Sequence, residues 1–262
     1  MPKLFCAAGR DARQQAAAQV LRRAGYAAAG PECASRADYL LLPMSQQRVS
    51  DEIARVLQAA RPGTLVLAGR PGPPVRAAVR QANLPLVDYF ARPELEMLNA
   101  VPTAEACLAL LLQLRRRTIW ESDFLVLGYG RVGRAVADRL ALLGGRVTVA
   151  ARRAEARAAA RCAGHRTEPL AALPGLLPGA SAVINTIPAL VLPRALLQQL
   201  PPGALVVDLA SEPGGVDFTA AQALGVQAVQ ALALPGRCAP YTAGELIGQA
   251  VLAILADRGE QP

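Results

Sequence analysis

Short apolar runs alternate with segments of helical period from the start of the chain. KLFCAAG, residues 3–9, reads as a strand, and DARQQAAAQVLRRAG reads as a helix with Asp11 near its cap and Gly25 beyond its end. ADYLLLP is a second strand, followed by SDEIARVLQAARPG with Ser50 as N-cap. TLVLAG, PPVRAAVRQANLP and LVDYF repeat the alternation. This order predicts parallel strands joined by crossover helices. Residues 1–101 are therefore expected to form one doubly wound, flavodoxin-like α/β domain.

VPTAEACLALLLQLRRRT follows, and the pattern predicts a connecting helix over 102–118 that opens at Pro102 and is apolar all round in its middle. The arginines at 115–117 complement the carboxyl end of such a helix. A second doubly wound domain is expected over 119–240. It has strands at 123–127 and 146–150 flanking a helix at 131–143, then a weaker stretch. The strand SAVINTI, helix PRALLQQL, strand ALVVDLA, helix FTAAQALG and strand VQAVQAL complete it. The amphipathic segment 241–262, YTAGELIGQAVLAILADR and its tail, is expected to cross back to the first domain, as in two-domain dehydrogenases.

Composition narrows the function. Just over half of the 262 residues are hydrophobic, enough for a sizeable core. No run of about 18 apolar residues is uninterrupted, and the N-terminus lacks the form of a signal peptide, so a cytoplasmic protein with no membrane partner is expected. The net charge of +8 comes almost wholly from arginine, since Lys3 is the only lysine. That balance favours anionic ligands. Aromatic residues are few and not interleaved with the arginines, which argues against nucleic acid. Five cysteines without CxxC spacing give neither a disulfide framework nor a metal site.

The most specific stretch is FLVLGYGRVGRAVADRLALLGGRVTVAARR. Gly128, Tyr129, Gly130, Arg131, Val132 and Gly133 form G-x-G-x-x-G directly after a strand and at the start of a helix. The first glycine allows the tight turn, the second the approach of a pyrophosphate, and the third close helix–strand packing. The second strand ends in Arg152 and Arg153, where an NAD site usually has an acid. A guanidinium can take a 2′-phosphate bidentately, so NADP is the expected cofactor; the alternative is that both arginines simply face water. Further cofactor contacts are expected at the ends of later strands, from Asn185, Thr186, Ile187 and Pro188, and from Asp208, Leu209 and Ala210. Asp208 could equally cap the Gly214–Gly215 turn.

On the substrate side the candidates are Asp11, Arg13, Ser45, Thr103 and Glu105. Arg13 suits a carboxylate, and Ser45 or Thr103 its oxygens, with Thr103 and Glu105 at the start of the connecting helix; each could instead be a cap or a surface ion pair. The single histidine, His165, is expected at the surface, and Lys3 lies inside a strand. No catalytic acid–base pair can be named, which points to chemistry needing little proton-transfer help.

GRDARQ, LPMS, NAVPTAE, LGYGRVG, INTIP, DLASEPGGVDF and LPGRCAPYTAGELI occur in the order found in the dipicolinate synthase A-subunit family, which the chain resembles over nearly its whole length. The first domain is shorter than in better-known members between Met44 and Thr64, and Tyr241 stands where some have lysine. The resemblance implies NADP-dependent oxidation of dihydrodipicolinate, or its hydrated tetrahydro form, to dipicolinate in the cytoplasm of a sporulating mother cell. It also implies a small dicarboxylate substrate and, for a partner, the flavoprotein-like second component of dipicolinate synthase. The oligomeric state is left open, a homo-oligomer included. Two other readings stand beside it: another NADP-dependent dehydrogenase of a small carboxylated substrate, and a non-catalytic NADP-binding regulatory module.

Overall fold

The computed structural model describes residues 2–9 and 11–262. It divides into two compact units, Met1–Asn99 with Pro235–Pro262, and Ala100–Leu234. The first begins with β1 (Leu4–Ala7), α1 (Ala12–Arg23), β2 (Ala27–Ala29) and β3 (Tyr39–Leu41). It continues through α2 (Asp51–Ala59), β4 (Leu65–Ala68), α3 (Pro73–Gln81) and β5 (Leu86–Asp88). All five strands are parallel, in the order β2-β1-β3-β4-β5. This is the flavodoxin-like order, whose switch point lies between β1 and β3. The three-alanine strand β2 has no apolar run to announce it. Asp11 and Ser50 cap α1 and α2 by accepting from the amides of Gln14 and Ile53.

The next helix, α4, runs Pro93–Leu114, nine residues earlier than the sequence pattern suggests, with Pro102 in its interior. Pro93, with Glu94 and Glu96 in the first turn, supplies the start signal that Pro102 imitates. The expected connecting helix over 102–118 is corrected accordingly, and Arg115–Arg117 lie just beyond the helix. By length and composition α4 could cross a membrane. Ala104, Cys107 and Leu111 pack in the core of the second unit, which gives its apolar character a packing reason.

The second unit comprises β6 (Asp123–Leu127), α5 (Arg131–Leu142), β7 (Arg146–Ala151), α6 (Ala154–Cys162) and β8 (Arg166–Pro169). After α7 (Leu173–Leu176) come β9 (Ala182–Asn185), α8 (Arg194–Leu197), β10 (Leu205–Asp208), α9 (Phe218–Ala223) and β11 (Gln227–Gln230). The sheet is parallel throughout, in the order β11-β10-β9-β6-β7-β8, the dinucleotide-binding arrangement with its switch point between β6 and β9. Strand alternation fills both faces: Phe124 and Val126 enter one apolar cluster, Leu125 and Leu127 the other.

The chain returns to the first unit through α10 (Leu234–Cys238) and α11 (Pro240–Asp257). Ile247, Val251, Ile254 and Leu255 join Phe5, Leu21 and Leu67 in its core. Gly244 and Gly248 let α11 lie close on α1: a β-carbon at 244 would overlap the carbonyl oxygen of Arg13, and one at 248 would stand 2.7 Å from Val20 Cβ. Cys6, Cys33 and Cys107 are buried and Cys162 and Cys238 exposed. Burial pushes the thiols of Cys6 and Cys107 up to about 12, so they stay protonated and inert.

Candidate functional site

The turn from β6 into α5 separates what the protein needs from what a ligand needs. Gly128 has φ 88°, and a β-carbon there would lie 2.7 Å from Thr186 Oγ1. A β-carbon at Gly133 would overlap the carbonyl oxygen of Gly128. Gly130 differs, because its φ of −82° suits any residue and nothing lies within 4 Å of its missing β-carbon. Neither backbone nor packing asks for glycine at that position. Gly130 is also the N-cap of α5, a twelve-residue helix that has no side-chain cap at this end. The residues present fit a dinucleotide pyrophosphate.

Tyr129 contributes backbone to this turn rather than its side chain. Its ring is buried, its hydroxyl donates to Asp138 Oδ1 at 3.3 Å, and the Arg134 guanidinium lies 5.3 Å from the ring centre. Burial and the Asp138 charge raise its phenol pKa. Val132 is half-buried against the same core, and Arg131 begins the helix. His165 corrects the sequence reading: it is buried, with Nε2 2.7 Å from Asp138 Oδ1 and its ring edge-on to Tyr129 at 5.9 Å. The histidine braces the glycine turn from behind.

Thr186 Oγ1 donates to the carbonyl of Leu127 at 2.7 Å, tying the end of β9 to that of β6 at the switch point. Ile187 lies against Gly128, and Pro188 is exposed. Asn185 and Asp208 are wholly buried and bonded to each other at 2.7 Å. The Asn185 amide also closes on the backbone of Ile187 in both directions, while Asp208 accepts from the amides of Ala210 and Gly215. Asp208 thus caps the turn before Gly215, one of the two readings left open, and Asn185 shares that scaffold. Leu209 is half-buried and Ala210 buried beside them. Asp208→Ala should strand the Asn185 amide and two backbone N–H groups, lowering unfolding stability by about 3–5 kcal/mol in urea titration. A loss below about 1 kcal/mol would remove it from the scaffold.

Arg152 and Arg153 follow β7 directly and are both exposed. Arg153 stands 3.9 Å from Glu155 at the surface. The backbone beneath them is held by Arg157, whose Nη1 donates to the carbonyls of Ala151 at 2.8 Å and Arg152 at 2.7 Å. Sequence spacing gave no signal for that brace.

In the first unit Asp11, Arg13 and Ser45 follow the ends of β1 and β3. Arg13 Nη2 pairs with Asp11 Oδ2 at 3.0 Å, and its guanidinium lies over Gly236 of α10, where a β-carbon would come within 2.9 Å. Thr103 and Glu105 belong to the second unit and to the middle of α4, not the start of a helix. Thr103 is buried, and exposed Glu105 lies 3.9 Å from Arg139. The expectation that they begin the connecting helix is corrected.

Two parallel sheets in these orders define the two-domain dehydrogenase class of fold. The transhydrogenase of Sinorhizobium meliloti shares it, at a TM-score of 0.79 and 18% identity, over 97% of this chain and 92% of that one. No family model matches the chain. Its sequence is 36% identical over 181 residues to the dipicolinate synthase A-subunit of Bacillus subtilis, covering 68% of this chain and 60% of that protein. A crystal structure of the dipicolinate synthase A chain from Bacillus subtilis superposes at a TM-score of 0.87 and 28% identity, over 98% of this chain and 97% of that one. The chain is a relative of the dipicolinate synthase A-subunits. The matched stretch spans about three fifths of the curated relative's length.

Proposed function

We propose that this chain is a nicotinamide-dependent dehydrogenase of a small ring dicarboxylate, oxidising dihydrodipicolinate to dipicolinate with NADP. The observation that carries the cofactor half is Gly130, a glycine with no structural need for being one, at the mouth of an uncapped helix. Exposed Arg152 and Arg153 at the end of β7 support the 2′-phosphate form. Kinship with the A-subunits supports the substrate half.

A bound nicotinamide would supply the hydride acceptor for a ring carbon of the substrate, with the accompanying proton lost to solvent as the ring becomes aromatic. The hydrated tetrahydro form reaches the same product after losing water. Aromatisation provides driving force, so positioning is the protein's main contribution. Arg13 receives one carboxylate, with its fork held over Gly236. A flavoprotein-like second component is the proposed partner, in keeping with the naming of the relatives as subunits.

The test is absorbance growth at 340 nm when NADP is mixed with the dihydro or hydrated tetrahydro substrate, with the chain alone and with its partner. Dipicolinate formation supports the reading. Tight NADP binding without product in either arrangement overturns it in favour of a non-catalytic nucleotide-binding module.

A further inference from the structure

Among the described residues ten glycines take a positive φ, so left-handed turns in this chain fall largely to glycine. Five other described residues share that conformation, and of these Ser45, with φ 62°, and Arg70, with φ 47°, lie side by side, whereas Asn83, Glu121 and Ala233 are scattered in other turns. They follow β3 and β4, neighbouring strands, and the Ser45 amide donates to the carbonyl of Gly69 at 2.7 Å. Two strained residues thus adjoin at the carboxyl edge of the sheet, beside its switch point, where glycine would relax both. Strain of this kind, held in two adjoining residues, is found at ligand sites as well as in plain turns, so the side chains decide between the two.

Arg70 is also oriented. Its guanidinium carbon lies 4.2 Å from the centre of the Phe90 ring, Nη2 lies 3.5 Å from Glu96, and its backbone amide donates to Asp88 Oδ1 at 2.9 Å. Half of the side chain remains exposed. A stacked guanidinium keeps its plane fixed and offers the donors on its open edge to a planar anion.

We propose that Arg70 and the Ser45 hydroxyl form a second carboxylate receptor, separate from Arg13, so that the first unit selects a dicarboxylate over a monocarboxylate. This rests on the reading of the chain as an enzyme of a ring dicarboxylate. Arg13 follows β1 and Arg70 follows β4, with β3 between them, which puts the two strand ends about 10 Å apart. A six-membered ring flanked by two carboxylates, with a hydrogen bond of about 2.8 Å at either end, spans a similar length.

The experiment measures binding of dipicolinate and of picolinate, its single-carboxylate counterpart, to the full chain by calorimetry. Arg70→Leu should weaken dipicolinate about 10- to 100-fold and leave picolinate within about 2-fold. If Arg70→Leu does not fold, Arg70→Lys retains the charge without the fork and should weaken dipicolinate about 5-fold. Ser45→Gly relaxes the turn, so Tm should hold or rise while dipicolinate binding falls. Unchanged dipicolinate binding in the folded arginine variant, or equal losses for both ligands, overturns the second receptor. A Ser45→Gly chain with raised Tm and unaltered binding removes the hydroxyl from it. Absence of dipicolinate binding to the unaltered chain instead overturns the functional reading beneath it.

Discussion

Gly130→Ala is expected to leave the fold as stable as before while weakening dinucleotide binding about 10-fold or more, whereas Gly133→Ala costs stability first. The β-carbon at 130 enters open space, so unfolding has nothing to register. In the proposed cofactor site the same carbon would occupy the face on which the pyrophosphate meets the helix amides, and crowding of that kind costs about 1–3 kcal/mol. At 133 the added carbon meets the carbonyl of Gly128, which is backbone and cannot swing aside. Helix α5 must lift from β6, and Tm should drop by about 5–10 °C. Thermal melts and fluorescence titration with the reduced cofactor separate the two effects. Equal Tm losses, or a Gly130→Ala chain that binds as well as its parent, would show that the open face is not a ligand face.

The second large effect is expected from Arg152→Ala combined with Arg153→Ala. Both side chains are exposed and follow the strand whose end adjoins the glycine turn, since the Gly128 amide donates to the carbonyl of Ala150 at 2.9 Å. Loss of two charge-assisted contacts to a 2′-phosphate should cost NADP about 3 kcal/mol, or about 100-fold in Kd. NAD lacks that phosphate and should change by less than about 2-fold. Arg157 is left in place, so the turn retains its backbone shape and the comparison reads charge rather than collapse. Equal losses for both nucleotides would assign the arginines to folding of the loop.

Much of the fold could be read from the residues because buried parallel strands are short apolar runs and glycine turns separate them. What escaped had no pattern to display. The edge strand β8 is mostly exposed, so no apolar run distinguishes it. His165 is a lone buried residue in an exposed stretch, and its partner Asp138 lies on another element, so periodicity is silent about it. The start of α4 is ambiguous in the residues because Pro93 and Pro102 carry the same signal, and only Pro93 opens the helix. The glycine turn was legible in kind, yet only the packing around each residue divides Gly130, with open space at its missing β-carbon, from Gly128 and Gly133. The choice between the two roles of Asp208 depended on a partner, Asn185, that lies 23 positions away. Ser45 could be nominated as polar at a strand end, whereas the left-handed backbone that joins it to Arg70 has no signature in residue type.

The first unit closes its core with Ile247, Val251, Ile254 and Leu255, contributed by a helix that lies beyond the whole second unit in chain order. During synthesis the ribosome therefore releases the second unit complete while the opening strands still lack one wall. The first unit is begun before the second and completed after it. Until α11 emerges, the apolar face of α1 must wait, exposed to chaperones or to misassociation with other nascent chains.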